Sequence, residues 1–275
     1  MRLCFVLINC LFAQALFSQE PAKTAAASPE SPYVEREQRE FNFFPGGKIE
    51  VLTGVPGSLK IVGWKKGSVR VEAEKIVYYE TVEKAKAFLK KSPLRIRHNE
   101  TSVTVRAITA PELPAILEVN YTVYVPGEKT DVRAGMEKGD FSIEGVNGWV
   151  EVTAKEGSFE AKSMAGYFSG TTLRGDIFVE MSGKHWNGLE FAALTQQGSA
   201  NLLLPEKYDA ALQLETRNGK ITVNYPNQIV EGEEIPPEIV IRKTSQLLRA
   251  SVGDGGAPLK ITTYSGDITL SLKEK

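Results

Sequence analysis

Little in this 275-residue chain is equipped for covalent chemistry. It has two histidines, His98 and His185, far apart in sequence, and two cysteines, Cys4 and Cys10, both within the first ten residues. Structural zinc sites draw on four nitrogen and sulfur ligands held close together. With both cysteines in the leader, no metal site is expected. No G-x-S-x-G elbow, S-x-x-K run or P-loop occurs, so the motifs that expose a nucleophile or cradle a phosphate are missing. Asp140, Asp176 and Asp267 share the position after a glycine. They read either as part of a polar ladder or as turn residues that accept hydrogen bonds from backbone amides. The dense carboxylate cluster of a polysaccharide-cleaving site is not visible. The expectation is a chain with no catalytic residues and no cofactor.

One set of side chains stands above this background. Trp149, Tyr167 and Trp186 are separated by 18 and 19 residues. If two short strands make one turn of a stack, the three rings recur on one outer face. Exposed aromatic rows bind sugars or partner surfaces. The competing reading is a face covered by the first folded region or by a loop at 226–238.

The elements that would position these rings are short strands between glycine turns. Gly139, Gly148, Gly157, Gly166 and Gly175 lie nine residues apart. The second and fourth positions after each are mostly apolar: Phe141 and Ile143, Val150 and Val152, Phe159 and Ala161, Ile177 and Val179. Phe168 keeps the pattern and Gly170 breaks it. This is period-two alternation with glycine punctuation. A fixed short period implies stacked units, since one unit cannot bury its apolar face alone. Looser copies follow Gly198, Gly219 and Gly266. The fold expected is all-β: a β-solenoid-like stack over 127–275, interrupted by an acidic loop at 226–238. A smaller β region over 35–126 precedes it, carrying one helix at 80–91. Thr81 is placed to cap that helix, and Val82, Ala85, Phe88 and Leu89 share one side of it.

The first 18 residues read as an export signal. Arg2 precedes an apolar run, Leu3 to Phe17, that ends near Ala13-Gln14-Ala15. The run is too short to span a bilayer well, so no transmembrane span is expected in the mature chain. Residues 19–34, rich in Pro, Ala and Ser, read as a flexible linker. A formal net charge of −1 gives no basic excess for nucleic acid.

Tyr121-Thr-Val-Tyr-Val-Pro126, the glycine-led units, Thr216-Arg-Asn-Gly-Lys-Ile221 and Tyr264-Ser-Gly-Asp-Ile268 together resemble the bacterial "putative adhesin" family. The resemblance runs from about Phe41 to the end. It implies an exported or membrane-tethered protein with a glycine-punctuated, β-solenoid-like domain, and it supplies no catalytic residues. The expectation is a non-enzymatic envelope protein, in the periplasm or at the cell surface. It would present a surface, Trp149, Tyr167 and Trp186 foremost, to an envelope glycan or protein. A β-helix enzyme acting on polysaccharide, or an envelope-stress sensor working through a partner, are the alternatives.

Overall fold

The computed structural model describes residues 32–107, 116–225, 238–242 and 245–274. The expected signal at 1–18, the linker up to 31 and residues 226–237 of the acidic loop lie outside the described residues. The chain is all-β with one helix, and its strands form two large mixed sheets, one of ten strands and one of eleven.

The first part of the chain comprises β1 (Tyr33–Asn42), β2 (Lys48–Thr53), β3 (Leu59–Trp64), β4 (Ser68–Tyr78), α1 (Val82–Lys91), β5 (Leu94–Asn99), β6 (Ser102–Ala107) and β7 (Ile116–Pro126). Tyr33 and Val34 thus already belong to a strand. The Thr81 hydroxyl caps α1 by accepting from the Lys84 amide, and Ala85, Phe88 and Leu89 are buried. Val82, in the first helical turn, is 49% exposed and does not join that face. His98 lies on β5, exposed, with its ring stacked on Phe41 at 4.0 Å, where a polar turn was expected.

From β8 onward the chain alternates between the two sheets. β8 (Asp131–Lys138), β10 (Asn147–Glu156), β12 (Ala165–Arg174) and β14 (Gly188–Gln197) lie side by side in the eleven-stranded sheet. β9 (Phe141–Glu144), β11 (Phe159–Lys162), β13 (Ile177–Glu180) and β15 (Ala200–Leu204) do the same in the ten-stranded sheet. All these neighbours pair parallel and in register: Val132, Val150, Phe168 and Phe191 in one row, Phe141, Phe159, Ile177 and Ala200 in the other. These residues are buried in one continuous core. Phe168 lies parallel to Phe191 at 4.6 Å, and Phe159 reaches Phe168 from the other sheet at 5.6 Å. Gly170 breaks the apolar pattern for a packing reason. A β-carbon there would come within 2.8 Å of the Phe168 ring and 3.1 Å of the Phe159 ring.

The nine-residue glycine period resolves into two columns, one at each corner. Gly139, Gly157, Gly175, Gly198 and Gly266 stack at one corner, and Gly148, Gly166 and Gly188 at the other. At Gly157 the φ of +139° excludes most side chains, and a β-carbon would overlap the carbonyl oxygen of Gly139 directly beside it. Next to the first column, buried Thr172, Thr195 and Thr216 donate their hydroxyls to the carbonyls of Gly157, Gly175 and Gly266. Buried hydroxyls are tolerated where such a partner is fixed.

The C-terminal part adds β16 (Ala210–Asn218), β17 (Ile221–Asn224), β18 (Glu238–Arg242), β19 (Ser245–Val252), β20 (Pro258–Ser265) and β21 (Ile268–Leu272). Spatial order departs from chain order here. β20 lies between β14 and β16, and β21 between β15 and β17, all parallel. The same device occurs at the other end, where β2 and β3 lie between the pairs β8/β6 and β9/β7.

Candidate functional site

The outer side of the eleven-stranded sheet is set by strict alternation along β10 and β12. With Val150, Val152 and Ala154 facing the core, Trp149, Glu151 and Thr153 face out. Parallel pairing places Trp149 directly beside Tyr167 and Glu151 beside Ser169. Neighbouring strands are about 4.8 Å apart, and the two rings stack at 4.0 Å with 24° between their planes. Trp149 remains 47% exposed. Its backbone amide donates to Asp131 Oδ1 at 3.0 Å, and its indole Nε1 donates to Glu151 Oε1 at 2.9 Å. The ring is therefore fixed in orientation while one face stays open. Leu189, 71% exposed, adds an apolar side chain at the end of β14 nearest the pair.

Trp186 is not the third member of this row. It is 3% exposed, packs edge-on against Phe191 at 5.4 Å, and donates its indole N–H to the Gly166 carbonyl. The cause is a β-bulge. Gly166 pairs with Gly188 but Tyr167 pairs with Glu190, so Leu189 is an extra residue and Trp186 precedes the strand. The position beside Tyr167 belongs to Glu190, whose carboxylate is held by Lys260 at 2.6 Å.

The aspartates after the glycines serve the backbone. Asp140 Oδ1 accepts from the Ser158 amide, Asp176 Oδ1 from the Ser199 amide, and Asp267 Oδ1 from the Lys220 amide, at 2.8–2.9 Å. Ser158 and Ser199 hydroxyls accept from the Asp176 and Asp267 amides in between. The two readings of these aspartates describe one object, a polar ladder built of backbone contacts. Among the described residues no group of three or more His, Cys, Asp or Glu side chains is arranged to hold a metal ion. The phenols raised furthest above their ordinary pKa are those of Tyr121 and Tyr208, pushed up by burial, with Glu37 adding to the effect at Tyr121. Both hydroxyls lack a hydrogen-bond partner and sit in the core, away from the open faces.

A second feature of the same outer face escaped sequence reasoning. Arg95 and Arg97 on β5 and Arg106 on β6 are exposed together beside Glu50 and Thr104, around a recess of about 270 Å³. The signal was available in Leu94-Arg-Ile-Arg97, where two arginines alternate with apolar residues on one strand.

No protein-family model and no curated protein sequence matches the chain. Solved structures similar to it include a putative cell adhesion protein from Clostridium sporogenes, at 13% identity and a TM-score of 0.44, covering 88% of this chain and all of that one. A putative adhesin from Parabacteroides distasonis, at 9% identity and a TM-score of 0.27, covers 86% of this chain and 97% of its own. A putative lipid binding protein from the same organism, at 12% identity and a TM-score of 0.27, covers 88% and 98%. The structural neighbours thus carry the adhesin name that the sequence resemblance implied. At these identities and scores the likeness says nothing of activity.

Proposed function

We propose that this chain is an exported, non-enzymatic module of the cell envelope whose body is a β-solenoid-like stack. It presents the outer side of the eleven-stranded sheet to a glycan or protein. In this reading residues 1–18 direct export, 19–34 form a tether, 35–126 close one end of the stack, and 127–275 form its body. The observation that carries the proposal is the Trp149–Tyr167 pair. A tryptophan 47% exposed, oriented by Glu151 and stacked on a tyrosine, offers a rigid apolar plate with hydrogen-bonding groups at its rim. That combination suits the face of a sugar ring or a partner's apolar surface.

The double substitution Trp149→Ser with Tyr167→Ser tests it. Stacked pairs contribute roughly 0.5–1.5 kcal/mol, so the melting temperature should fall only slightly. Retention on peptidoglycan and on isolated envelope polysaccharide should drop at least tenfold. Unchanged retention by a folded double variant would sink the assignment of this face.

A further inference from the structure

The arginine cluster is poorly explained by the fold itself. Arg95 on β5 pairs directly with Arg106 on β6, and like charges in opposed cross-strand positions destabilise a sheet. The next row runs Arg97, Thr104, Glu50, Arg133, Glu151 across β5, β6, β2, β8 and β10. Glu50 lies between Thr104 and Arg133, and its Oε2 is 3.3 Å from Arg106 Nη2. Arg95 and Arg97 have no ion pair among the described residues. Charges do guard edge strands, and β5 is an edge. Edge protection, though, does not call for Arg106 opposite Arg95 one strand further in. A local conflict of this kind, kept without a compensating partner, is characteristic of a binding site. Guanidinium groups pair with carboxylates in two-pronged geometry.

The cluster and the aromatic pair share one surface. β5 and β10 are separated by β6, β2 and β8, so Arg97 and Trp149 lie on rows roughly 19 Å apart across the strands. We infer that the arginines form an anion subsite of this face, and that its ligand is an acidic polysaccharide. Sugar carboxylates would meet Arg95, Arg97 and Arg106, and a sugar ring would meet Trp149 and Tyr167. The inference rests on the proposed function and adds the charge class of the ligand.

The test is calorimetric titration of the full chain with an oligogalacturonate and with an uncharged gluco-oligosaccharide of equal length. Wild-type protein should bind the acidic oligomer at least tenfold more tightly, with affinity falling as salt rises. R95E/R97E, and R95Q/R97Q as the milder variant, should each lose that preference while melting as wild type does. An arginine variant that binds the oligogalacturonate as tightly as wild type does overturns the subsite. So does inorganic phosphate competing as well as the oligomer, which would leave a simple ion site. Equal binding of both oligomers, lost in W149S/Y167S but kept in R95Q/R97Q, overturns the anion subsite and leaves the aromatic face standing. Binding of neither oligomer by any form overturns the anion subsite and removes the support for a glycan on this face.

Discussion

The ends and the middle of this molecule build the same two sheets by different means. In the middle, β8 to β15 pair parallel, one turn beside the next. Each corner therefore recurs at the same place, and whatever works at one corner works at all of them. Glycine columns, the Asp–Ser ladder and the buried threonines follow from that repetition. At the ends the pairing turns antiparallel: β1 with β4, β4 with β7, β5 with β6, and β16, β19 and β18 at the far side. These strands have one neighbour fewer to satisfy and carry charges instead. β1 places Glu35 and Glu37 on its half-buried side, both bound by the nearly buried Lys75 at 3.2 and 3.1 Å. An antiparallel, charged margin prevents further copies from adding to the stack. The binding groups occupy both zones of one face, with rings in the repetitive body and arginines at the irregular end.

The sharpest way to break this comparison is at a corner glycine. Gly157→Val puts side-chain atoms into the Gly139 carbonyl at a φ of +139°. It should cost about 5 kcal/mol, the diagnostic end of single-substitution effects. Gly46, in the turn after β1, has φ +89° but nothing within 4 Å of an added β-carbon. Gly46→Ala should cost only about 1–2 kcal/mol, the strain of the left-handed backbone alone. Urea midpoints compare the two, and similar losses would show that the column is not held by close approach.

Core truncation follows in size. Phe159 is 2% exposed and lies between the rings of Phe141 and Phe168. Phe159→Ala should cost roughly 3–5 kcal/mol, since neighbouring turns fix the backbone on both sides and limit collapse. A loss under about 1 kcal/mol would mean that the stack relaxes far more than its parallel pairing implies.

What could be read from the chain beforehand divides along the same line. Phe141, Ile143, Val150, Val152, Phe159, Ile177 and Val179 are all buried, as their alternation implied. Periodicity reports local geometry, and in a parallel stack local geometry repeats. β1 was legible only in its last residues, because Tyr33 to Arg39 alternate charge with charge rather than apolar with polar. The site was half legible. Trp149 and Tyr167 meet because their 18-residue spacing survives intact. Trp186 turns inward because one extra residue, Leu189, shifts the register, and a bulge leaves no mark on composition. The arginines gather from β5 and β6, whose place in the sheet depends on β2 lying between β6 and β8. Spatial order that departs from chain order has no local signature.

The smallest effect concerns charge at the margin. Glu40 on β1 accepts from the Ser68 hydroxyl at 2.8 Å and from Arg70 Nε at 3.1 Å. The Ser68 hydrogen bond, followed by that of Arg70, holds its carboxyl below the ordinary glutamate value. The unfolded chain, with an ordinary pKa of about 4.3, then takes up this proton at a higher pH than the folded one. The contribution of Glu40 is therefore present above that value and is lost as pH falls through the lower folded pKa. Glu40→Gln should leave the protein slightly less stable at pH 7, and the gap between variant and wild type should close by about pH 3. Denaturant midpoints of both proteins across that range measure it. The body's exposed pair of Arg174 and Glu156, 2.9 Å apart, belongs to a class that contributes little when solvated. Its removal by Arg174→Gln is the matched control. A gap for Glu40→Gln that stays constant with pH would show that its carboxylate contributes packing rather than charge, and would erase the electrostatic contrast between margin and body.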